Sequence, residues 1–180
     1  MPATYRLDAP AAAIARALGA DGGDDPWEGG AVVPGGYAPV VIGGKGGSRS
    51  IVPRQWGVPP PPRGEHVVIH VRNLASPFWI GTLRHTEFRC LVPATGFLSR
   101  RVWHGWPGRP VMAFAGIWRD SEVPSFAILT AQAGPGAPVL PVILPPEHYR
   151  RWLSEDWKQA QGLVRACDVA DLLAMSQPRG

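Results

Sequence analysis

Residues 88–118 read FRCLVPATGFLSRRVWHGWPGRPVMAFAGIW, and this stretch decides the fold. Two apolar runs, 89–98 and 110–118, are rich in Val, Leu, Phe and Ala and bounded by Pro or Gly, the composition of strands in the core of one sheet. The residues between them, 99–109, form an Arg/Trp/Gly/Pro turn. Its basic, aromatic character predicts a surface that meets something anionic.

Working outward, further short strands are expected over 2–7, 37–42, 50–58, 65–72, 125–132 and 139–144. The run AAAIARAL predicts a helix over 10–18, with Asp8 as its cap and Ile14 and Leu18 four residues apart on one face. Residues 74–88 are expected to hold one or two helical turns. EHYRRWLSEDW, at 147–157, predicts a helix with Tyr149, Trp152 and Leu153 on a shared face. Asp168 reads as the cap of a last helix over 169–175. Seven or eight closely spaced strands with three short helices predict an α+β fold. It is expected to be a single domain over 1–180 with a curved, mostly antiparallel, barrel-like sheet core. Residues 19–36 read as a flexible acidic loop and 176–180 as a tail.

Pro (21) and Gly (22) are both frequent in the 180 residues, which favours turns over a helical bundle. The formal charge is +4, and arginine outnumbers lysine 16 to 2. From Arg49 to Arg119 there are ten arginines against Glu65 and Glu87 alone, a net +8. A high-GC codon habit explains the Arg/Lys ratio but not this clustering, which reads as a phosphate or carboxylate surface. Two cysteines, Cys90 and Cys167, are too few for a disulfide framework and suit a reducing cytoplasm. No apolar run reaches membrane-spanning length, and the N-terminus lacks a signal-peptide pattern. GGKGGS at 43–48 is not a phosphate loop; a hairpin turn accounts for it. His66 and His70 fall on one face of the strand expected at 65–72, yet no third ligand has metal-site spacing, so no metal is expected.

The ordered set YAPVV (37–41), RQWGV (54–58), HVRN (70–73), RCLVPATGF (89–97), AFAGIW (113–118), ILT (128–130) and LPVILPPEHY (140–149) resembles the SOS response-associated peptidase (SRAP) family. The resemblance covers nearly the whole chain. It implies a single α+β domain with a basic groove for single-stranded DNA and abasic sites. The implied chemistry uses a cysteine at position 2, whose amine and thiol capture the ring-opened sugar aldehyde and which also releases the N-terminus. An Asn, a Glu and a His complete that site.

At each of those positions this chain departs from the pattern. Pro2 replaces the cysteine, His70 stands where the Asn is expected with Asn73 three residues on, Ser99 replaces the Glu, and Ala137 is the counterpart of the His. No thiol is then available to close a thiazolidine, and a serine hydroxyl is no base near neutral pH. The resemblance instead assigns Arg54, Trp56, Arg72, Trp79, Arg84 and Arg89 to the groove. Trp103 and Trp106 in the Gly/Pro turn are the expected exposed stacking pair, whereas Trp118 is expected in the core.

The expected function is that of a degenerate SRAP protein, the crosslinking and autopeptidase activities being lost with those residues. Its expected partner is single-stranded DNA, intact or abasic. It is expected to be a cytoplasmic monomer, nucleoid-associated when bound to DNA, with no cofactor and no membrane contact. Two alternatives stand beside it. Pro2, once Met1 is removed, can use its secondary amine as a Schiff-base nucleophile on the sugar aldehyde. The chain can also be a scaffold or partner protein that kept only the fold.

Overall fold

A computed structural model describes residues 3–176. Its centre is the pair expected from the sequence. Strand β6 (Arg89–Ala94) runs antiparallel to β9 (Met112–Arg119), from Arg89 opposite Ile117 to Ala94 opposite Met112. Every residue of β6 is buried, so it is covered on both faces. Strand β3 (Tyr37–Gly43) pairs with β6 and with β4 (Arg49–Trp56). Strand β10 (Ser125–Gln132) pairs antiparallel with β9 and parallel with β4. The five strands thus follow one another in a ring. It is not a closed barrel: two of its links are only two residue pairs each, Gln55 with Ser125 and Trp56 with Phe126 between β4 and β10, and Val41 with Leu91 and Ile42 with Cys90 between β3 and β6.

A second sheet crosses the first. Its order is β13 (Leu173–Met175), β8 (Val102–Gly105), β7 (Gly96–Ser99), β1 (Tyr5–Leu7) and β2 (Gly30–Val32). The apolar run 89–98 is therefore two strands rather than one, β6 in the first sheet and β7 in the second. Thr95 makes the step: its N–H donates to the Arg6 carbonyl at 2.7 Å, and its hydroxyl accepts from the Asp8 N–H at 2.9 Å. The expected turn at 99–109 likewise contains a strand, β8.

Four short helices flank the sheets: α1 (Ala11–Leu18), α2 (Pro77–Arg84), α3 (Tyr149–Ser154) and α4 (Trp157–Ala160). Helix α1 buries Ile14 and Leu18 and ends on Gly19 in the left-handed region, φ 61°. Asp8 does not cap it; the carboxylate pairs with Arg6 instead, at 2.6 Å. The helix expected over 147–157 divides in two, because Asp156 caps a new start by accepting from the Gln159 N–H at 3.0 Å. Asp168 does cap, accepting from the Ala170 N–H, but the turn it starts lasts only Val169–Asp171. Residues 173–175 then pair with β8 as a strand, so the expected final helix is absent. The segment 65–72 is a strand only at β5 (His70–Val71), which lies parallel to β10. Residues 19–36 are not wholly loop: they contain β2, and Trp27 donates its indole N–H to the Leu7 carbonyl at 3.2 Å. Among the described residues no helix is long and apolar enough to cross a membrane.

The β6–β9 contact depends on Gly116. A Cβ there would lie 2.6 Å from Val92 Cγ2 and 3.0 Å from Cys90 Sγ. Gly116→Ala is expected to cost about 1–3 kcal/mol by overpacking, read as a lower urea midpoint with an unchanged slope. An unchanged midpoint would show that the two strands are less closely packed than described.

Candidate functional site

Three segments carry the positions expected to form the site. The first is the hairpin of β7 and β8. Strand β1 runs beside β7 with Tyr5 opposite Phe97 and Arg6 opposite Gly96, and Ser99, at the far end of β7, pairs with Val102 of β8. The second is β5, where His70 lies opposite Ile128. The third is the small-residue turn AGPGA after β10, where Gln132 donates its side-chain amide to the Ala137 carbonyl at 2.7 Å. Arg100 joins the first segment to the third by donating to the Gly136 carbonyl at 3.1 Å. The bond ties the tip of the β7–β8 hairpin to the turn after β10.

An aromatic wall links His70 to the β1–β7 pair. The Trp56 ring lies 5.9 Å from His70 and 5.2 Å from Tyr5, in both cases edge to face. Trp56 also donates its indole N–H to the Ile69 carbonyl at 3.1 Å, which fixes the strand that carries His70. Ser99 and His70 are both buried, 6% and 7% exposed. Asn73 is not directed to this site. Its Oδ1 accepts from the Ala75 N–H at 3.0 Å, holding the turn that leads into α2. Pro2 lies outside the described residues.

The turn between β7 and β8 is unusual. Its two residues, Arg100 and Arg101, have φ of 49° and 66°, the signs of a type I′ turn. That turn favours Asn-Gly, and a left-handed conformation costs an ordinary L-residue about 1–2 kcal/mol. Nothing in the residue types announced it, because neither position holds Gly, Asn or Asp.

The groove residues divide by burial. Trp56 and Arg89 are fully buried and Trp79 is 4% exposed, so none of the three forms part of an open binding face. The Arg89 guanidinium donates to the Glu155 carbonyl and stands 5.5 Å from the Trp152 ring, tying β6 to the end of α3. Burial lowers its pKa to about 10, against the opposing pull of Asp156 and Glu155. Trp79 packs on Phe78, with the Arg119 guanidinium 5.0 Å from its ring. Arg72 and Arg84 are exposed. Arg54 is half-buried and stacks over Trp118 at 4.4 Å, so Trp118 reaches the surface rather than closing within the core. Trp103 and Trp106 are half-buried; Trp106 lines a cavity of 490 Å³ with Arg109, Pro110 and Met175.

Three features escaped the sequence reading. Tyr5 buries its hydroxyl with no hydrogen-bond partner among the described residues, and burial holds its pKa well above the usual range. His104, 7% exposed, sits 5.6 Å from the Phe97 ring. Arg100 and Arg101 stand at the tip of the hairpin that carries Ser99. The alternation of Tyr5 and Leu7 signalled burial, but only the β1–β7 pairing places Tyr5 beside the site.

A mixed α+β domain, with an N-terminal strand paired to the β7–β8 hairpin beside a ring of mostly antiparallel strands, is the architecture of this class of protein. The chain belongs to the SOS response associated peptidase (SRAP) family, whose model matches residues 1–176, and so to a family tied to the DNA-damage response. No curated protein matches it. Among solved structures it is similar to a protein of Bacteroides thetaiotaomicron, with a TM-score of 0.76 and 16% identity over 96% of this chain and 90% of that one. It is also similar to a protein of Bordetella bronchiseptica, with a TM-score of 0.74 and 15% identity over 97% and 99%. A phage-related protein of the same organism has a TM-score of 0.72 and 18% identity over 97% and 94%. At these identities the likeness is one of fold.

Proposed function

We propose that this protein is a degenerate SRAP-family member that binds single-stranded DNA, intact or abasic, without the N-terminal-cysteine crosslink or autopeptidase activity. The observation that carries the reading is the basic segment from Arg49 to Arg119, a net +8, in which Arg63, Arg72, Arg84, Arg100, Arg101 and Arg109 are exposed. Guanidinium groups pair with phosphates in a forked geometry, and half-exposed Trp103, Trp106 and Trp118 offer faces on which unpaired bases stack. The loss of chemistry is supported from three sides. Position 2 is proline, Ser99 carries only a hydroxyl, and Ala137 has nothing that titrates. Neither cysteine is suited to replace the missing thiolate: burial pushes Cys90 far up and Cys167 to about 11.

Binding of a short oligonucleotide, followed by fluorescence anisotropy, is expected to weaken steadily as salt rises. Arg72→Ala should weaken it several-fold at low salt and reduce the salt slope by about 0.7, the value of one single-strand phosphate contact. Arg150→Ala, on α3 outside the basic segment, should leave both unchanged. Absence of binding at 50 mM salt, taken as roughly the low-salt limit, or binding indifferent to salt, would overturn the reading.

A further inference from the structure

The geometry points to Arg100 and Arg101 as a two-pronged phosphate clamp at the mouth of the SRAP site, gripping the backbone of a DNA strand beside the nucleotide presented there. The inference rests on the single-strand binding proposed above and names residues the sequence reading did not assign. Among the described residues, Arg100 and Arg101 are the two non-glycine positions with positive φ, while ten positive-φ positions carry glycine. The chain therefore has glycine in plenty and uses it wherever the backbone turns left-handed, except at this hairpin tip. An arginine-rich codon habit does not select two adjacent strained positions. Packing does not select arginine either, because both side chains are exposed. Among the described residues neither meets a carboxylate within ion-pair distance.

What the two residues share is position. They directly follow Ser99 at the tip of the hairpin whose strand β7 pairs with β1, and the Arg100 bond to Gly136 sets the tip against the turn that carries Ala137. A strand threaded towards that site passes the hairpin tip. The bond uses one of the five N–H donors of Arg100, which leaves a fork for a phosphate, and Arg101 supplies a second. Strain held at a surface turn, where it presents two exposed cationic groups, is the pattern of a binding element.

The test replaces the pair by the residues the turn prefers, Arg100→Asn with Arg101→Gly. Thermal melting is compared with anisotropy of fluorescein-labelled oligo(dT) across a salt series. The variant is expected to melt about 3–6 °C higher, from relief of the turn. Its affinity at low salt should fall at least about tenfold, and its salt slope should shrink by about 1.4 for two lost phosphate contacts. A variant that binds like the wild type with the same slope overturns the clamp alone. A variant that melts lower while losing affinity shows that the arginines hold the hairpin, and also overturns it. A wild-type protein that does not bind oligo(dT) overturns the single-strand reading and the clamp with it.

Discussion

Trp56→Ala is expected to destabilise the protein by about 3–5 kcal/mol, the cost of emptying a large aromatic site in a core. Trp56 has no exposed surface. Its ring stacks on Phe126 at 6.5 Å and meets Tyr5 edge-on, and its indole N–H holds the Ile69 carbonyl at 3.1 Å. It also sits in the two-pair link between β4 and β10 that completes the ring of strands. Truncation therefore opens a cavity, removes one of the two hydrogen bonds to the Ile69 carbonyl and loosens a two-pair link of the sheet together. For a domain of this size the melting point should fall by roughly 6–20 °C. Trp56→Phe keeps most of the packing and loses the hydrogen bond, so it should cost about 1–2 kcal/mol. Variant protein that remains folded should still bind oligonucleotide with wild-type salt dependence. Unaltered stability with abolished binding would move Trp56 back from the core to the DNA face.

That residue also shows where sequence reasoning stopped. Arg54 and Trp56 are assigned together to the DNA groove by the family resemblance, and alternation along β4 puts them on one side of the strand. The strand instead meets β10 at its end, so Trp56 is covered from across the sheet while Arg54 lies over Trp118. The covering residues are about seventy positions away in the chain, and no local pattern announces them. The same holds for 169–175, where the Asp168 cap was legible but the edge of β8 was not, and that edge draws residues 173–175 into a strand. Thr95 divides the run 89–98 by bonding to the N-terminal strand, another distant partner. By contrast, the β6–β9 pair was legible because both strands are apolar and lie close in sequence. The correspondence of Ser99, His70 and Ala137 came from the family resemblance alone. The positive φ of Arg100 and Arg101 had no signal in the sequence, because residue preference pointed the other way.

Wild-type protein incubated with an abasic single-stranded oligonucleotide is expected to leave no adduct that survives heat and denaturant. A stable product needs a thiol beside the amine to close the ring, and position 2 holds proline. Proton transfer is also poorly served. Ser99 cannot deprotonate an amine near neutral pH, and Ala137 cannot protonate the sugar oxygen. A heat-stable adduct from the wild type would end the degenerate reading and would make Cys90 the first residue to replace. A species seen only after borohydride reduction would instead assign amine chemistry to Pro2. The frame can be tested by restoring its parts. Pro2→Cys supplies amine and thiol together and should form adduct slowly. Adding Ser99→Glu places a carboxylate in a buried position beside the N-terminal strand, where desolvation raises its pKa towards neutrality and suits it to act as a base. A positioned base is worth about 10²–10⁴ in rate, so the double variant should outpace Pro2→Cys at least a hundredfold, by roughly that same estimate. Equal rates for the two would mean that residue 99 does not face the reacting amine, and that the chain kept the strands of the family without the geometry of its site.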